Sequence, residues 1–228
     1  MLHYKILSQT LLFKRPAKTS RGAYLERKVW YVFLSEEVLS VAQCEQILAH
    51  PDKWGGEKVG VGEIAPLFDL SFEYHDDFQK DIEFCCSSFI NDDGIDFCAL
   101  KPYPSICFGL ETAWLSLKSQ DGLSFFDTPF SRGESPLLIN GLVWMGGLEQ
   151  MKSELRAKVS AGFKCIKCKI GALDFEHELE LLRIVRTEFG QHQLQLRVDA
   201  NGAYSVEQAK EVLSILNSMS VHSIEQPI

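Results

Sequence analysis

The sequence predicts an α/β fold in two parts: an α+β domain over residues 1–122 and a series of βα units over 137–228, joined by a linker at 123–136. Three observations carry this expectation. The first third is dominated by branched and aromatic residues in runs bounded by turn formers, the mark of strands. After residue 136, apolar strands alternate strictly with stripes at helical spacing, which predicts a parallel sheet, either doubly wound or a barrel. Three of those later strands also end in charged residues, where α/β sheets and barrels hold their sites.

In chain order, Lys5–Phe13, Lys28–Leu34 and Lys58–Ile64 read as an antiparallel meander. The first two are separated by RPAKTSRGAYLE, Arg15–Glu26, a long polar loop of the kind that is functional or disordered. Helices are expected over Phe72–Ile90 and Phe108–Ser119, and Gln120–Pro136 gathers the Gly and Pro breakers of a boundary. Leu137–Trp144 is then a strand, and Leu148, Met151, Leu155 and Val159 form a helical stripe. Cys165–Ile170 is the next strand, followed by a helix with Phe175, Leu179, Leu182, Val185 and Phe189 inward. Leu194–Ala200 is the third. The helix after it opens on Ser205 and Gln208 in capping-box spacing and turns Val206, Ala209, Leu213 and Leu216 inward. Val221–Gln226 is the fourth strand.

The 228 residues carry 23 basic and 31 acidic side chains, a net charge of −8, which argues against a nucleic-acid partner. Hydrophobic residues at 46% suffice for a real core. The start, broken by Lys5, Ser8, Gln9 and Thr10 and followed by Lys14 and Arg15, makes a poor signal peptide. No uncharged apolar run reaches the roughly 18 residues of a membrane span. A soluble, cytoplasmic protein without membrane partners is expected, its seven cysteines reduced.

Strand side chains alternate between faces. In Cys165-Ile166-Lys167-Cys168-Lys169 the lysines therefore share one face and Ile166 and Cys168 the other. The apolar face must meet the covering helices, which turns Lys167 and Lys169 inward, where an unpaired lysine is too costly to keep. The same parity groups Arg197, Asp199 and Asn201, and then Ser223 with Glu225. Lys-x-Lys alone is ordinarily a solvated edge, Asp-Ala-Asn-Gly alone a turn, and Glu-Gln-Pro alone a chain reversal. Their recurrence, roughly 30 and 26 residues apart, is about one βα unit each time. Two carboxylates on neighbouring strands beside an amide oxygen suit a hard cation such as Mg²⁺. The adjacent lysines suit proton transfer, because burial lowers an ammonium pKa. Cys165 and Cys168 are about 10 Å apart along a strand and point oppositely, which excludes a disulfide. Cys85 and Cys86 read as helix packing residues, and the six histidines show no zinc spacing.

GFKCIKCKIG, RVDANG and SIEQPI together resemble the enolase superfamily, in its muconate-lactonising branch. VGEIAPL resembles that family's capping domain, and TSRG, LLINGLVWMG and FKCIKCKIG resemble the o-succinylbenzoate synthase family within the branch. The resemblance covers the whole chain. It implies a capping domain followed by the first half of an enolase-type (β/α) TIM-like barrel. It further implies a lyase of menaquinone biosynthesis that dehydrates 2-succinyl-6-hydroxy-2,4-cyclohexadiene-1-carboxylate, a small carboxylate. Lys169 would be the general base, tuned by Lys167; Asp199 and Glu225 would be magnesium ligands, supported by Asn201. Thr19, Ser20 and Arg21 would lie on the loop covering the substrate.

That family's barrel has eight strands, and four are legible here. The resemblance therefore implies an N-terminal fragment, with weak metal binding, little turnover and self-association through an open half-barrel. Dipeptide epimerases and acylamino-acid racemases share the same motifs. A Schiff-base aldolase using Lys169 and a non-catalytic binding fragment are the other readings.

Overall fold

The computed structural model of the chain describes residues 1–19, 22–51, 58–91, 94–144, 146–171 and 174–228. It divides into two compact units, Met1–Pro16 with Tyr24–Pro136, and Ala17–Ala23 with Leu137–Ile228.

In the first unit, β1 (His3–Thr19), β2 (Gly22–Ser35) and β3 (Val59–Ile64) form a sheet in that order, with β2 antiparallel to β3. Helices α1 (Val41–Ala49), α2 (Phe78–Asn91) and α3 (Pro104–Lys118) cover it. The alternation in β2 explains how both faces are buried. Trp30, Val32 and Leu34 pack with Phe78, Ile82, Cys86, Ile106 and Leu110 of α2 and α3, and Phe33 packs with Cys44 and Ile47 of α1 and with Val59 and Val61. Strand β3 lies so close to α3 that a Cβ added at Gly62 would sit 1.8 Å from the Gly109 carbonyl oxygen. Only glycine fits there.

The expected loop Arg15–Glu26 is mostly strand: β1 runs through Thr19 and β2 starts at Gly22, extending the pairing on either side of residues 20–21. Helix α1, which the sequence reading passed over, is short but opens on a capping box between Ser40 and Gln43. The helix expected from Phe72 begins at Phe78, because residues 72–77 turn instead. Cys85 and Cys86 of α2 are buried, as expected of packing residues.

In the second unit β4 (Gly141–Val143), β5 (Cys165–Lys169), β6 (Gln195–Asp199) and β7 (Ser223–Glu225) form a parallel sheet in sequential order. Helices α4 (Leu148–Ser160), α5 (Phe175–Glu188) and α6 (Val206–Ser218) alternate with them. Each right-handed crossover between sequentially added strands puts its helix on the same face, the arrangement of a barrel wall and not of a doubly wound sheet. The core lies between: Val143, Ile166, Cys168, Leu196, Val198 and Ala200 pack against Met151, Leu155, Leu179, Leu182, Val185, Val212 and Leu216.

Two expectations need adjusting here. The strand expected from Leu137 begins at Gly141, leaving Leu137, Leu138 and Ile139 exposed. The buried stripe of α6 is Ala209, Val212 and Leu216, with Val206 and Leu213 exposed, a small rotation of the expected face. The Ser205–Gln208 capping box is present. Among the described residues no helix is long and apolar enough to cross a membrane.

Candidate active site

The register of the second sheet sets Lys169 beside Asp199 and Asp199 beside Glu225; one pleat earlier it sets Lys167 beside Arg197 and Arg197 beside Ser223. All three strands end at this level, so their side chains converge at the C-terminal edge of the sheet. With Ile166, Cys168, Leu196 and Val198 committed to the helix-covered core, alternation leaves the lysines and Asp199 to the opposite face.

There they form one network. Asp199 Oδ2 accepts from Lys169 Nζ at 2.8 Å and pairs with Lys167 Nζ at 2.9 Å. Lys167 Nζ also donates to Glu225 Oε2 at 2.5 Å, and Lys169 Nζ donates to Asn201 Oδ1 at 2.8 Å. The Asn201 backbone N–H closes the ring by donating to Asp199 Oδ1 at 3.1 Å. Relative exposure is 1% for the Asp199 side chain, 13% for Lys169 and 20% for Lys167. The sequence thus brings together five of its expected site residues: Lys167, Lys169, Asp199, Asn201 and Glu225. Of the other three, Thr19 ends β1, while Ser20 and Arg21 lie outside the described residues.

Two buried carboxylate–ammonium contacts decide the electrostatics. Burial alone would raise the Asp199 pKa, but the hydrogen bonds from Lys169 and Lys167 outweigh it and hold the carboxyl below its ordinary range. Lys167 is shifted up, because its hydrogen bonds to Glu225 and Asp199 overcome the desolvation that opposes them. Burial acts on Lys167 in the expected direction, and the paired carboxylates outweigh it.

The backbone is fixed where these groups sit. Ile170 N donates to Asp199 O at 2.9 Å, Ala200 N to Glu225 O at 3.0 Å and Gly202 N to Gln226 O at 2.7 Å. Asn201 (φ 49°) and Gln226 (φ 42°) both occupy the left-handed region, and their side chains are joined at 3.4 Å. Asn tolerates that conformation, whereas Gln226 holds it at a cost that the surrounding structure must offset.

The donor chemistry fits a hard divalent cation. Asp199 and Glu225 both converge on a single cationic group, the Lys167 ammonium, and the Asn201 amide oxygen stands in the same network. Mg²⁺ typically takes one or two carboxylates and keeps several waters. No group of three or more His, Cys, Asp or Glu suited to a metal occurs among the described residues.

Sequence reasoning passed over four neighbours. Trp144, just past β4, lies with its ring centroid 5.5 Å from Lys169 Nζ. Gln226 is the strained neighbour of Glu225. Glu178 and Tyr204, behind the site, are joined at 3.5 Å. Glu178 left a trace in the sequence, as a carboxylate one position before Leu179 and four before Leu182 on the inward face of α5.

The chain matches two family models: "MenC, N-terminal domain" over residues 52–117 and "Enolase C-terminal domain-like" over residues 150–228. It is 32% identical to an o-succinylbenzoate synthase of Desulfotalea psychrophila, over 96% of this chain and 62% of that protein. An L-Ala-D/L-Glu epimerase of Francisella tularensis subsp. novicida is 34% identical over 36% of this chain and 23% of the relative. Among solved structures, MenC from D. psychrophila superposes with a TM-score of 0.73 at 27% identity, covering 100% of this chain and 64% of that one. An o-succinylbenzoate synthase from Thermosynechococcus elongatus, solved with magnesium in its active site, shares the fold with a TM-score of 0.65 at 22% identity, covering 100% of this chain and 61% of that one. The chain thus spans a little under two thirds of the length of these synthases. The capping sheet and the parallel βα sheet match such proteins along the entire chain: the fold is that of enolase-superfamily structures, and the chain is a homologue of the o-succinylbenzoate synthases.

Proposed function

We propose that this chain carries the base and part of the magnesium site of an o-succinylbenzoate synthase-type dehydratase of menaquinone biosynthesis. The substrate is 2-succinyl-6-hydroxy-2,4-cyclohexadiene-1-carboxylate. One observation carries the reading: Lys169, Asp199 and Glu225 stand in register on three consecutive strand tips. The whole-chain similarity to a synthase points the same way. Residues 1–122 act as the capping domain, 123–136 as the linker and 137–228 as the first barrel half, in a cytoplasmic setting.

Asp199 and Glu225, with Asn201 beside them, would hold Mg²⁺, which would supply positive charge against the substrate carboxylate and the negative charge that develops there. Lys169 Nζ takes the proton from the carbon alpha to that carboxylate. The carbon–oxygen bond of the ring hydroxyl then breaks, and the protonated Lys169 Nζ returns a proton to the departing oxygen, so that water leaves and the ring becomes aromatic. Lys167, whose ammonium contacts both Asp199 and Glu225, steadies the two carboxylates. By the resemblance, Thr19, Ser20 and Arg21 would contribute to covering the substrate.

Epimerisation of a dipeptide is the second reading, favoured by the similarity to the L-Ala-D/L-Glu epimerase. The two separate in one assay: ultraviolet detection of o-succinylbenzoate from the cyclohexadiene substrate, alongside exchange of the alpha proton of L-Ala-L-Glu in D₂O, each with Mg²⁺ or with EDTA. Magnesium-dependent elimination, weak in this chain alone and lost in Lys169→Ala, is the expected result. Exchange of the dipeptide without elimination would replace the dehydratase reading by the epimerase.

A further inference from the structure

Behind the candidate site, on the helix side of the sheet, α5 carries a carboxylate that the chemistry above does not use. Glu178 is 3% exposed. A buried carboxylate is expensive and persists only where its hydrogen bonds are satisfied. Its Oε2 accepts from the Gly171 backbone N–H at 2.9 Å and from the Tyr204 hydroxyl at 3.5 Å. These two donors belong to different turns. Gly171 lies two residues after Lys169, and Tyr204 three residues after Asn201. Tyr204 reaches a third turn as well, because its backbone N–H donates to Pro227 O at 3.1 Å, two residues beyond Glu225.

Packing leaves the turns little slack. Gly171 has φ +86°, and a Cβ there would lie 2.3 Å from Ala203 Cβ, so the turn after β5 sits directly on the turn after β6. The Tyr204 ring packs edge-on to Phe175, the first residue of α5, at 6.1 Å between centroids. Burial and the neighbouring Glu178 push the Tyr204 phenol pKa up, which keeps the hydroxyl proton in place as the donor. Three strand tips therefore lead back to one buried group.

We propose that Glu178 is a positioning residue: through Gly171 and Tyr204 it fixes the turns that carry Lys169, Asn201 and Glu225, and so sets the spacing of the cation-binding oxygens. This rests on the magnesium reading above for its functional consequence, and on the hydrogen bonds alone for its structural one. Groups that orient metal ligands from behind typically cost 10–100-fold in metal affinity or activity when removed.

The test uses the full chain with Mn²⁺ as the probe, followed by water-proton relaxation, and reads thermal midpoints and amide hydrogen exchange in parallel. Four variants are compared: Glu178→Gln, Tyr204→Phe, Asp199→Asn and Leu182→Ala. Leu182→Ala removes a buried apolar side chain of the same helix and takes no hydrogen bond from the turns. The proposal expects Glu178→Gln and Tyr204→Phe to weaken Mn²⁺ by tenfold or more and to speed Gly171 amide exchange. Leu182→Ala should lower the thermal midpoint at least as much and leave Mn²⁺ affinity within twofold. Wild-type affinity in both Glu178→Gln and Tyr204→Phe would overturn the proposal, as would an equal loss in Leu182→Ala. If Asp199→Asn binds Mn²⁺ like the wild type, the magnesium reading fails, and amide exchange alone then decides: accelerated exchange at Gly171 in Glu178→Gln supports the proposal, and unchanged exchange overturns it.

Discussion

Asp199 is the residue on which the site turns, because both lysine ammoniums meet its Oδ2 within 2.9 Å. Its folded pKa is lowered, so the stability it contributes is present above the ordinary carboxyl value and lost as pH falls through the folded value. Lys167, shifted up, contributes below the ordinary ammonium value and loses that contribution as pH rises through its folded value. Urea midpoints of the wild type should therefore be flat near neutrality and fall below about pH 4, where the ordinary aspartate range lies. An Asp199→Asn variant should show a shallower acid fall; an identical acid fall in the variant would place the loss elsewhere. The cysteines differ as sharply. Cys168 is fully buried and its thiol is pushed up to about 12 by desolvation, whereas Cys98 is exposed. Iodoacetamide at neutral pH should label Cys98 in the folded protein and Cys168 only in denaturant, as peptide mass spectrometry would report. Strand parity made most of these residues legible, since a period of two leaves no freedom in which face Lys169 or Asp199 takes. Glu178 left only a carboxylate on the inward face of α5 as its trace, and Tyr204 left none, because their hydrogen bonds to the Gly171 amide and to each other are set by tertiary folding.

Among the elements, β3 and α3 make the most demanding contact. With Gly62 against the Gly109 carbonyl, Gly62→Ala should cost about 3 kcal/mol or more in urea unfolding, above the usual range for an overpacked site because the neighbour is backbone. A loss under about 1 kcal/mol would mean that the strand and helix can separate freely. Helix α6 offers the opposite case: Ser205→Ala removes one half of a capping box and should cost about 1 kcal/mol. Capping spacing made the start of α6 readable, yet the same signature at Ser40 and Gln43 was missed, because α1 is short and buries only Cys44 and Ile47. Helix α5 also carries a second clamp: Arg186 donates to the carbonyls of Leu194, Met219 and Ser220 at 2.8, 2.9 and 2.8 Å. The helix thus holds loops at both ends of the sheet. The expected loop at Arg15–Glu26 became strand because pairing between β1 and β2 continues past the polar residues, a choice made by the neighbouring strand and not by local composition.

At the scale of the chain, the two units have separate cores, and the second ends in a four-stranded sheet whose outer strands are β4 and β7. Leu138 is 99% exposed, with Leu137 and Ile139 exposed beside it ahead of β4. A bare apolar strip favours association. Sedimentation velocity should show concentration-dependent assembly that Leu138→Glu reduces, and a monomer at every concentration would contradict this. The division into a strand-rich part and a βα part could be read from periodicity, and the sequential strand order decided for a barrel wall where periodicity left a doubly wound sheet equally open. The function depends most directly on whether Asp199 and Glu225 hold a divalent cation beside Lys169. Calorimetric titration of the chain with Mg²⁺ tests it. Weak binding of one ion, lost in Asp199→Asn and in Glu225→Gln but retained in Lys169→Ala, is the expected result; affinity unchanged in both carboxylate variants would contradict the site.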